Sequence, residues 1–302
     1  MRPQSFSYGV LSKHFISGVL LFGPPGTGKT MLAKAVAKES GSTVIDIKSS
    51  DVYDMYVGEG EKNVRAIFSL ARKLSPCVIF LDELDAIFGS RRSDIHNGAH
   101  REIINQFMAE WDGLTSRNDG VLIMGATNRP FDLDDAILRR MPRRILVDLP
   151  TEKDREQILH LHLRDEKLDS SISLRHLAKT TKLYSGSDLK NLCISAALAA
   201  VREDAEVDKT KVNNNNEKDK NNEDLTKNNT EHLLQVRVLK DHHFQIALKQ
   251  VTPSCSEDMS SLTELRKWDG MYGDGAWNRK KRVKGIGFDG DNVYISYKNQ
   301  EL

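Results

Sequence analysis

Gly23-Pro24-Pro25-Gly26-Thr27-Gly28-Lys29-Thr30 satisfies the spacing GxxxxGK[ST] and stands between an apolar run, Gly18–Phe22, and a helix-length segment that begins at Lys29. Glycines at these positions let the backbone curl until successive N–H groups point inward, a cradle for phosphate oxygens. The start of the helix adds the positive end of its dipole to the same spot. Lys29 can reach the β- and γ-phosphates of a bound nucleotide, and the Thr30 hydroxyl can ligate Mg2+.

A second group lies at the end of Val78-Ile79-Phe80-Leu81-Asp82-Glu83. Four apolar residues ending in two acids place carboxylates at the C-terminal end of a buried strand, where open α/β sheets bind ligands. Asp82 can hold Mg2+ through water, and Glu83 can act as general base on an attacking water. Alone, an apolar run ending in Asp-Glu is common. Paired with the glycine-rich loop it acquires a role, while Asp85 reads as a solvated or loop-orienting acid. Asn128 follows another apolar run, Val121–Gly125, and could position the lytic water; by itself Asn128-Arg129-Pro130 is an ordinary turn. Leu138-Arg139-Arg140-Met141-Pro142-Arg143-Arg144 holds four arginines. These read either as solvated surface or as fingers, because a guanidinium can neutralise charge on a transferring phosphoryl group.

The elements that must position these residues are legible between residues 18 and 150. Gly18–Phe22, Thr43–Ile47, Cys77–Leu81, Val121–Gly125 and Ile145–Val147 read as strands apolar on both faces. Lys29–Glu39, Glu61–Leu74, Arg101–Asp112 and Asp134–Arg139 read as helices between them. This alternation predicts an α/β fold with a doubly wound parallel sheet over residues 1–150. After Pro150 the strand signal stops. Glu152–Leu163, Leu174–Lys179, Ser187–Arg202 and Lys240–Val251 predict a small all-helical domain over residues 151–254, with Ser187-Asp188 as an N-cap-like pair. Residues 208–231, rich in Asn and Lys, carry only Val212 and Leu225 as apolar residues and read as a disordered insertion. Residues 255–302 read as a helix near Asp258–Tyr272 and a tail with the basic cluster Arg279, Lys280, Lys281, Arg282 and Lys284.

Bulk composition excludes little but does exclude something. The 302 residues carry 44 Lys+Arg against 43 Asp+Glu, so no net charge draws the chain to nucleic acid. Three separated cysteines, Cys77, Cys193 and Cys255, form no CxxC pair, which speaks for reduced thiols rather than a zinc site or a disulfide framework. No apolar run reaches the ~18 residues that span a bilayer.

In this order, the glycine-rich loop, the Asp-Glu strand end, Ala126–Arg144 and the arginine group resemble the AAA family of P-loop ATPases. Tyr56-Val57-Gly58-Glu59-Gly60-Glu61-Lys62, Tyr184-Ser185-Gly186-Ser187-Asp188-Leu189 and Leu265-Arg266-Lys267-Trp268 are similar to the meiotic clade, which includes spastin and katanin. Phe107-Met108-Ala109-Glu110-Trp111-Asp112-Gly113-Leu114 is similar to relatives that extract mislocalised tail-anchored proteins from the mitochondrial outer membrane. The resemblance implies ATP and Mg2+ as ligands. Gly23 to Met31 with Asp82 would hold the nucleotide, and Thr30 and Asp82 the metal. Glu83 and Asn128 would be catalytic, and Arg139 and Arg140 would act on a neighbouring subunit's ATP. His162, Gly186 and Ser187 match positions that contact nucleotide from the helical domain; a lone helical His is otherwise usually structural.

Met55-Tyr56-Val57 would form a pore loop, with the flat apolar ring of Tyr56 gripping a polypeptide whatever its sequence. Taken alone, Tyr56 reads as a partly buried core tyrosine. The resemblance further implies a homohexameric ring, a polypeptide substrate in its pore, no nucleic acid, and a place on the cytosolic side. The family's adenine-holding Asp-Ile-x-Gly segment is not found ahead of the first strand. The chain thus reads either as a fragment or as a shortened version, and membrane association, at the mitochondrial outer membrane in the full-length protein, would run through a segment absent here. The leading expectation is ATP-driven remodelling or extraction of proteins. The alternatives are microtubule severing and, from another class, a nucleotide-binding interaction module without turnover.

Overall fold

The computed structural model describes residues 16–48, 51, 59–89, 98–117, 120–216, 237–255, 260–274, 288–289 and 292–293. The chain divides into two compact units. One comprises residues 1–24, 28–148 and 259–302, and the other residues 25–27 and 149–258.

The first unit is built on five parallel strands: β1 (Gly18–Phe22), β2 (Thr43–Ile47), β3 (Cys77–Leu81), β4 (Val121–Thr127) and β5 (Arg143–Leu146), in spatial order β2-β3-β4-β1-β5. The helices between them are α1 (Lys29–Glu39), α2 (Glu59–Lys73), α3 (Leu84–Phe88), α4 (Gly98–Arg117) and α5 (Asp135–Arg140). Alternate strand residues feed two separate cores, as the period of two requires. Leu20, Phe22, Ile79, Leu81 and Ile123 pack with Val64, Phe68 and Ala71 of α2 and with Phe107, Trp111 and Leu114 of α4. Leu21, Val78, Phe80 and Met124 pack with Ala33 and Ala37 of α1. Those two alanines sit one turn apart, on one helix face.

Two strand bounds differ from the sequence reading. β4 continues through Ala126 and Thr127 because both pair with β1, opposite Leu21 and Phe22. β5 begins two residues earlier, at Arg143, and among the described residues pairs only with β1. An edge strand keeps one side free of partners, so it tolerates arginines that a central strand would not. The C-terminal helix, α10 (Ser260–Tyr272), belongs to this same unit: Leu265 and Trp268 are buried in its core, and the Trp268 ring meets Phe22 edge-on at 4.7 Å.

The second unit holds α6 (Glu152–His162), α7 (Leu174–Thr180), α8 (Gly186–Asn216) and α9 (Asp241–Gln250) around a core of Leu159, Leu163, Leu177, Leu189, Leu192, Ala196 and Phe244. Two short strands, β6 (Lys167–Leu168) and β7 (Val238–Leu239), pair in parallel. Two residues are too few to show alternation, which is why no apolar pattern marks them. The pair β8 (Phe288–Asp289) and β9 (Asn292–Val293) is antiparallel.

α8 overrides two expectations. Its cap is Ser185 rather than the Ser187-Asp188 pair: Asp188 N–H donates to Ser185 Oγ at 3.2 Å, and Ser185 N–H returns to Asp188 Oδ2 at 2.9 Å. This is a reciprocal capping box, one turn long. At the other end the helix runs to Asn216, so residues 208–216 of the expected disordered insertion are helical. Extending a formed helix costs far less than nucleating one, which lets polar residues continue it. Residues 217–231 lie outside the described residues, as does the basic cluster at 279–284. α6 is capped in the same manner by Thr151 and Asp154. Thr151→Ala should lower stability by about 1 kcal/mol, read as an earlier urea midpoint; an unchanged midpoint would remove this cap from the account.

Candidate nucleotide-binding and hydrolysis site

Strand order brings the chemistry together. In the first unit, β3, β4 and β1 are neighbours, with Leu81 opposite Gly125 and Phe22 opposite Thr127. Their carboxyl ends therefore release Asp82-Glu83, Asn128 and the glycine-rich loop side by side. Two glycines make that loop possible. A Cβ on Gly23 would lie 2.1 Å from the Val147 carbonyl oxygen, and Gly28, at φ 88°, caps α1 in the left-handed region.

The Thr30 hydroxyl donates to Asp82 Oδ2 at 2.7 Å. Asp82 Oδ1 accepts from the Glu83 N–H at 2.9 Å, so both carboxylate oxygens have fixed directions. A hydroxyl and a carboxylate in contact are the hard oxygen donors that Mg2+ takes. Lys29 is buried, and its ammonium donates to the carbonyls of Gly23 (3.0 Å) and Pro24 (2.6 Å), which holds the cation inside the loop. Glu83 caps α3 at φ 50°, ψ 50°, a conformation that non-glycine residues seldom adopt. Its side chain is exposed, and its carboxylate has no hydrogen bond or ion pair among the described residues. Asn128 is likewise exposed and without a side-chain partner among them. Asp85 orients the neighbouring strand end: it accepts from Thr127 Oγ1 at 2.7 Å, and that oxygen accepts from Arg129 N–H at 2.9 Å. Met31, one residue past Thr30, is exposed on α1.

The four arginines separate by environment. Arg144 donates to the Leu138 and Met141 carbonyls and lies over Trp268 and Tyr272, 5.7 and 6.0 Å from the ring centres, so it serves the core of the first unit. Arg143 faces Asp274 at 3.5 Å. Arg140 grips Asp112 with two bonds, Nε to Oδ1 at 2.8 Å and Nη2 to Oδ2 at 2.7 Å, while Nη1 donates to the Ala136 carbonyl at 3.1 Å. That pairing holds the Asp112 carboxyl below its ordinary pKa and lifts Arg140 above its own, the mutual hydrogen bond being the larger cause in each. Arg139 is exposed, with no partner among the described residues. Nothing in sequence spacing links positions 112 and 140, so this pair escaped the sequence reading.

Of the remaining expected site residues, His162 ends α6 in the second unit, where it lines a cavity of about 350 Å³ with Glu166, Lys190 and Cys193. Gly186 and Ser187 open α8 in that unit. Met55, Tyr56 and Val57 lie outside the described residues. Burial pushes the Cys193 thiol up to about 12, and all three cysteines are buried, in accord with inert core thiols.

Glu203, His242 and His243 bring three metal-ligating atoms within 4.8 Å of one another. The geometry argues for a strap instead. His243 Nδ1 accepts the Lys240 N–H at 3.0 Å, so its Nε2 carries the proton and donates to Glu203 Oε2 at 2.6 Å. A cation at Nε2 would have to displace that proton. Lys240 first, then His243 and His242, hold the Glu203 carboxyl down to about 2, tying α8 to the start of α9.

Residues 19–149 match the ATPase family associated with various cellular activities (AAA), and residues 171–215 match the AAA+ lid domain. The crystal structure of the FIGL-1 AAA domain in complex with ADP shares the fold at TM-score 0.70 and 32% identity, over 90% of this chain and 83% of that one. The chain belongs to the AAA family. Among AAA relatives, the outer mitochondrial transmembrane helix translocase of Xenopus tropicalis is 51% identical over 187 residues, which is 62% of this chain and 52% of that protein. Spastin of Danio rerio is 42% identical over 276 residues, 91% of this chain and 44% of spastin. The chain thus spans about half the length of the curated relatives it matches. No helix among the described residues is long and apolar enough to cross a membrane.

Proposed function

We propose that this chain is an ATP-hydrolysing AAA module that works in a homohexameric ring to pull on a polypeptide, with a membrane-protein helix as the substrate class. The observation that carries the hydrolytic part is the contact of Thr30 with Asp82 beside the exposed Glu83 carboxylate, which has no side-chain partner among the described residues. Gly23 to Met31 hold the triphosphate, and Lys29 turns from its loop carbonyls to the β- and γ-phosphate oxygens. Thr30 and Asp82 would hold Mg2+, which would neutralise charge on the phosphates when bound. Glu83 takes the proton of the attacking water, and Asn128 orients that water. Arg139 and Arg140 lie on a surface helix end, as residues acting on a neighbour's phosphates must. His162, Gly186 and Ser187 contribute from the lid.

The substrate class rests on the identity with the transmembrane helix translocase. By the same identity, the ring would work at the cytosolic face of the mitochondrial outer membrane. The longer alignment with spastin supports microtubule severing as the second reading. The test pairs two assays. Tyr56→Ala is expected to keep Mg2+-dependent ATP turnover within a factor of about two and to lose release of a membrane-inserted helix from liposomes. Release undiminished by Tyr56→Ala would sink the threading proposal. Shortening of a tubulin lattice without helix release would transfer the reading to severing.

A further inference from the structure

We infer that Arg155 is a positioning residue for the lid: it clamps the stretch where the chain enters the second unit to the end of α7, so that nucleotide contacts made by the lid carry the entering chain with them. This deepens the proposed function and rests on it for the ligand that drives the movement.

Arg155 lies near the start of α6 and is 7% exposed. It keeps its charge at neutral pH. Burial holds its pKa below the ordinary arginine value, and the nearby Glu152 and Asp154 only partly offset that. No carboxylate forms an ion pair with it among the described residues. Its bonds go to main-chain carbonyls instead. Nε and Nη2 donate to Ala178 at 3.0 and 2.8 Å, and Nη1 donates to Pro150 at 2.9 Å. A buried cation without a counter-charge costs free energy. An apolar side chain of similar length would fill the space without that cost, but it could not hold two carbonyls at once. The planar fork of a guanidinium can.

Both carbonyls stand at junctions. The first unit runs to Asp148, and the second takes up the chain at Leu149. Pro150 comes next, with φ set by its ring and no N–H to donate. Thr151 follows and is fixed by its capping box, its N–H donating to Asp154 Oδ2 at 3.0 Å. Two consecutive residues of the entering chain are thus tied to α6. Ala178 lies in the last turn of α7, where carbonyls lack helical partners and a cation is favoured. From there the chain runs straight to α8: the Tyr184 N–H donates to the Thr181 carbonyl at 3.2 Å, and Ser185 caps the helix just before Gly186 and Ser187. His162 lies about two helical turns beyond Arg155, on the same side of α6. The three residues expected to meet nucleotide from the lid are therefore joined through one guanidinium to Pro150. When the lid shifts as ATP is bound or hydrolysed, the entering chain shifts with it.

The experiment measures that movement on the whole chain. Spin labels go on Lys38→Cys in the first unit and Leu161→Cys on α6, both exposed positions, and the three native thiols are buried. Labelled chains are diluted with unlabelled chains of the same kind. The parent should give one narrow distance distribution with ADP and a displaced one with a non-hydrolysable ATP analogue. Arg155→Met keeps the length of the stem and removes every donor. Arg155→Lys keeps the charge but offers a point instead of a fork. Both should lose the two separate distributions and give a single broad one that nucleotide does not shift. ATP turnover should stay within about two-fold of the parent, because the groups around the phosphates are untouched. Membrane-helix release per ATP hydrolysed should fall by roughly two- to thirty-fold, the span of coupling that single residues carry.

A merely structural role would lower melting temperature and turnover together and leave the ratio of release to turnover where it was. Distances that stay narrow and nucleotide-dependent in both variants overturn the inference, as does a parent chain whose distances ignore nucleotide. Melting of both variants below the assay temperature also overturns it, because Arg155 would then hold up the lid itself. Failure of the proposed function looks different. A parent chain that hydrolyses ATP and releases no membrane helix refutes the pulling, while the distance distributions still decide the role of Arg155.

Discussion

Glu83→Gln is expected to bind ATP as tightly as the parent chain and to hydrolyse it slower by roughly 10²–10⁴. The substitution keeps the size of the side chain and alters only its ability to accept a proton. Binding depends on other groups: the loop N–H groups, Lys29 and the Thr30–Asp82 pair, none of which uses the Glu83 carboxylate as a partner. The backbone supports the assignment. Leu81 and Leu84 on either side of the turn are fully buried, which fixes the chain while Glu83 is held at φ 50°. A left-handed conformation costs a non-glycine residue on the order of 1–2 kcal/mol. Here it turns the side chain out of the sheet beside Asp82, whose carboxylate already accepts the Glu83 N–H. Fluorescent-nucleotide titration against phosphate release separates binding from turnover. Equal turnover in the variant would remove Glu83 from the mechanism, and a parallel loss of binding would make it a nucleotide ligand instead.

The legible part of this fold was legible because its signals are local. The glycine-rich loop, the buried apolar runs and the helix spacing each lie within a dozen residues, and all of them mark one face of a parallel sheet. Strand order converts them into a site: β4 lies between β3 and β1, so Asn128 emerges between the acid pair and the loop. What stayed hidden depends on distant partners. Asp112 finds Arg140 only through the meeting of two helix ends, and Arg144 is drawn to Trp268 and Tyr272, more than a hundred residues later. Arg155 is nearly buried and donates to the Ala178 carbonyl from Nε and Nη2, a role that charge patterning assigns to surface. The true start of α8 was missed for a subtler reason. Both Ser185 and Ser187 could cap, and only the position of Asp188, three residues after the first, completes the box.

That Asp188 carries the second large expectation: Asp188→Ala should destabilise the lid unit by about 3 kcal/mol, and Asp188→Asn should do so in a pH-dependent way. The carboxylate is 4% exposed. It accepts from the N–H and hydroxyl of Ser185 and from the N–H and hydroxyl of Ser254, joining the start of α8 to the chain that follows α9. Removing it strands several donors at a helix N-terminus, where a negative charge is also favoured. Nearby, the Tyr184 hydroxyl donates to the Val251 carbonyl, and burial followed by the Asp188 charge pushes that phenol's pKa up, so it keeps its proton. Burial alone would raise Asp188; the bonds from Ser254 and Ser185 outweigh it and hold its pKa below the ordinary value. A depressed folded-state pKa contributes stability that is fully present above the unfolded value, near pH 4, and is lost as pH falls through the folded one. The difference in melting temperature between the parent chain and Asp188→Asn should therefore be widest at neutral pH and close progressively below about pH 4, where the parent's carboxyl becomes as neutral as the amide. A gap of constant width from pH 7 to 3 would show that shape, not charge, is what this residue supplies.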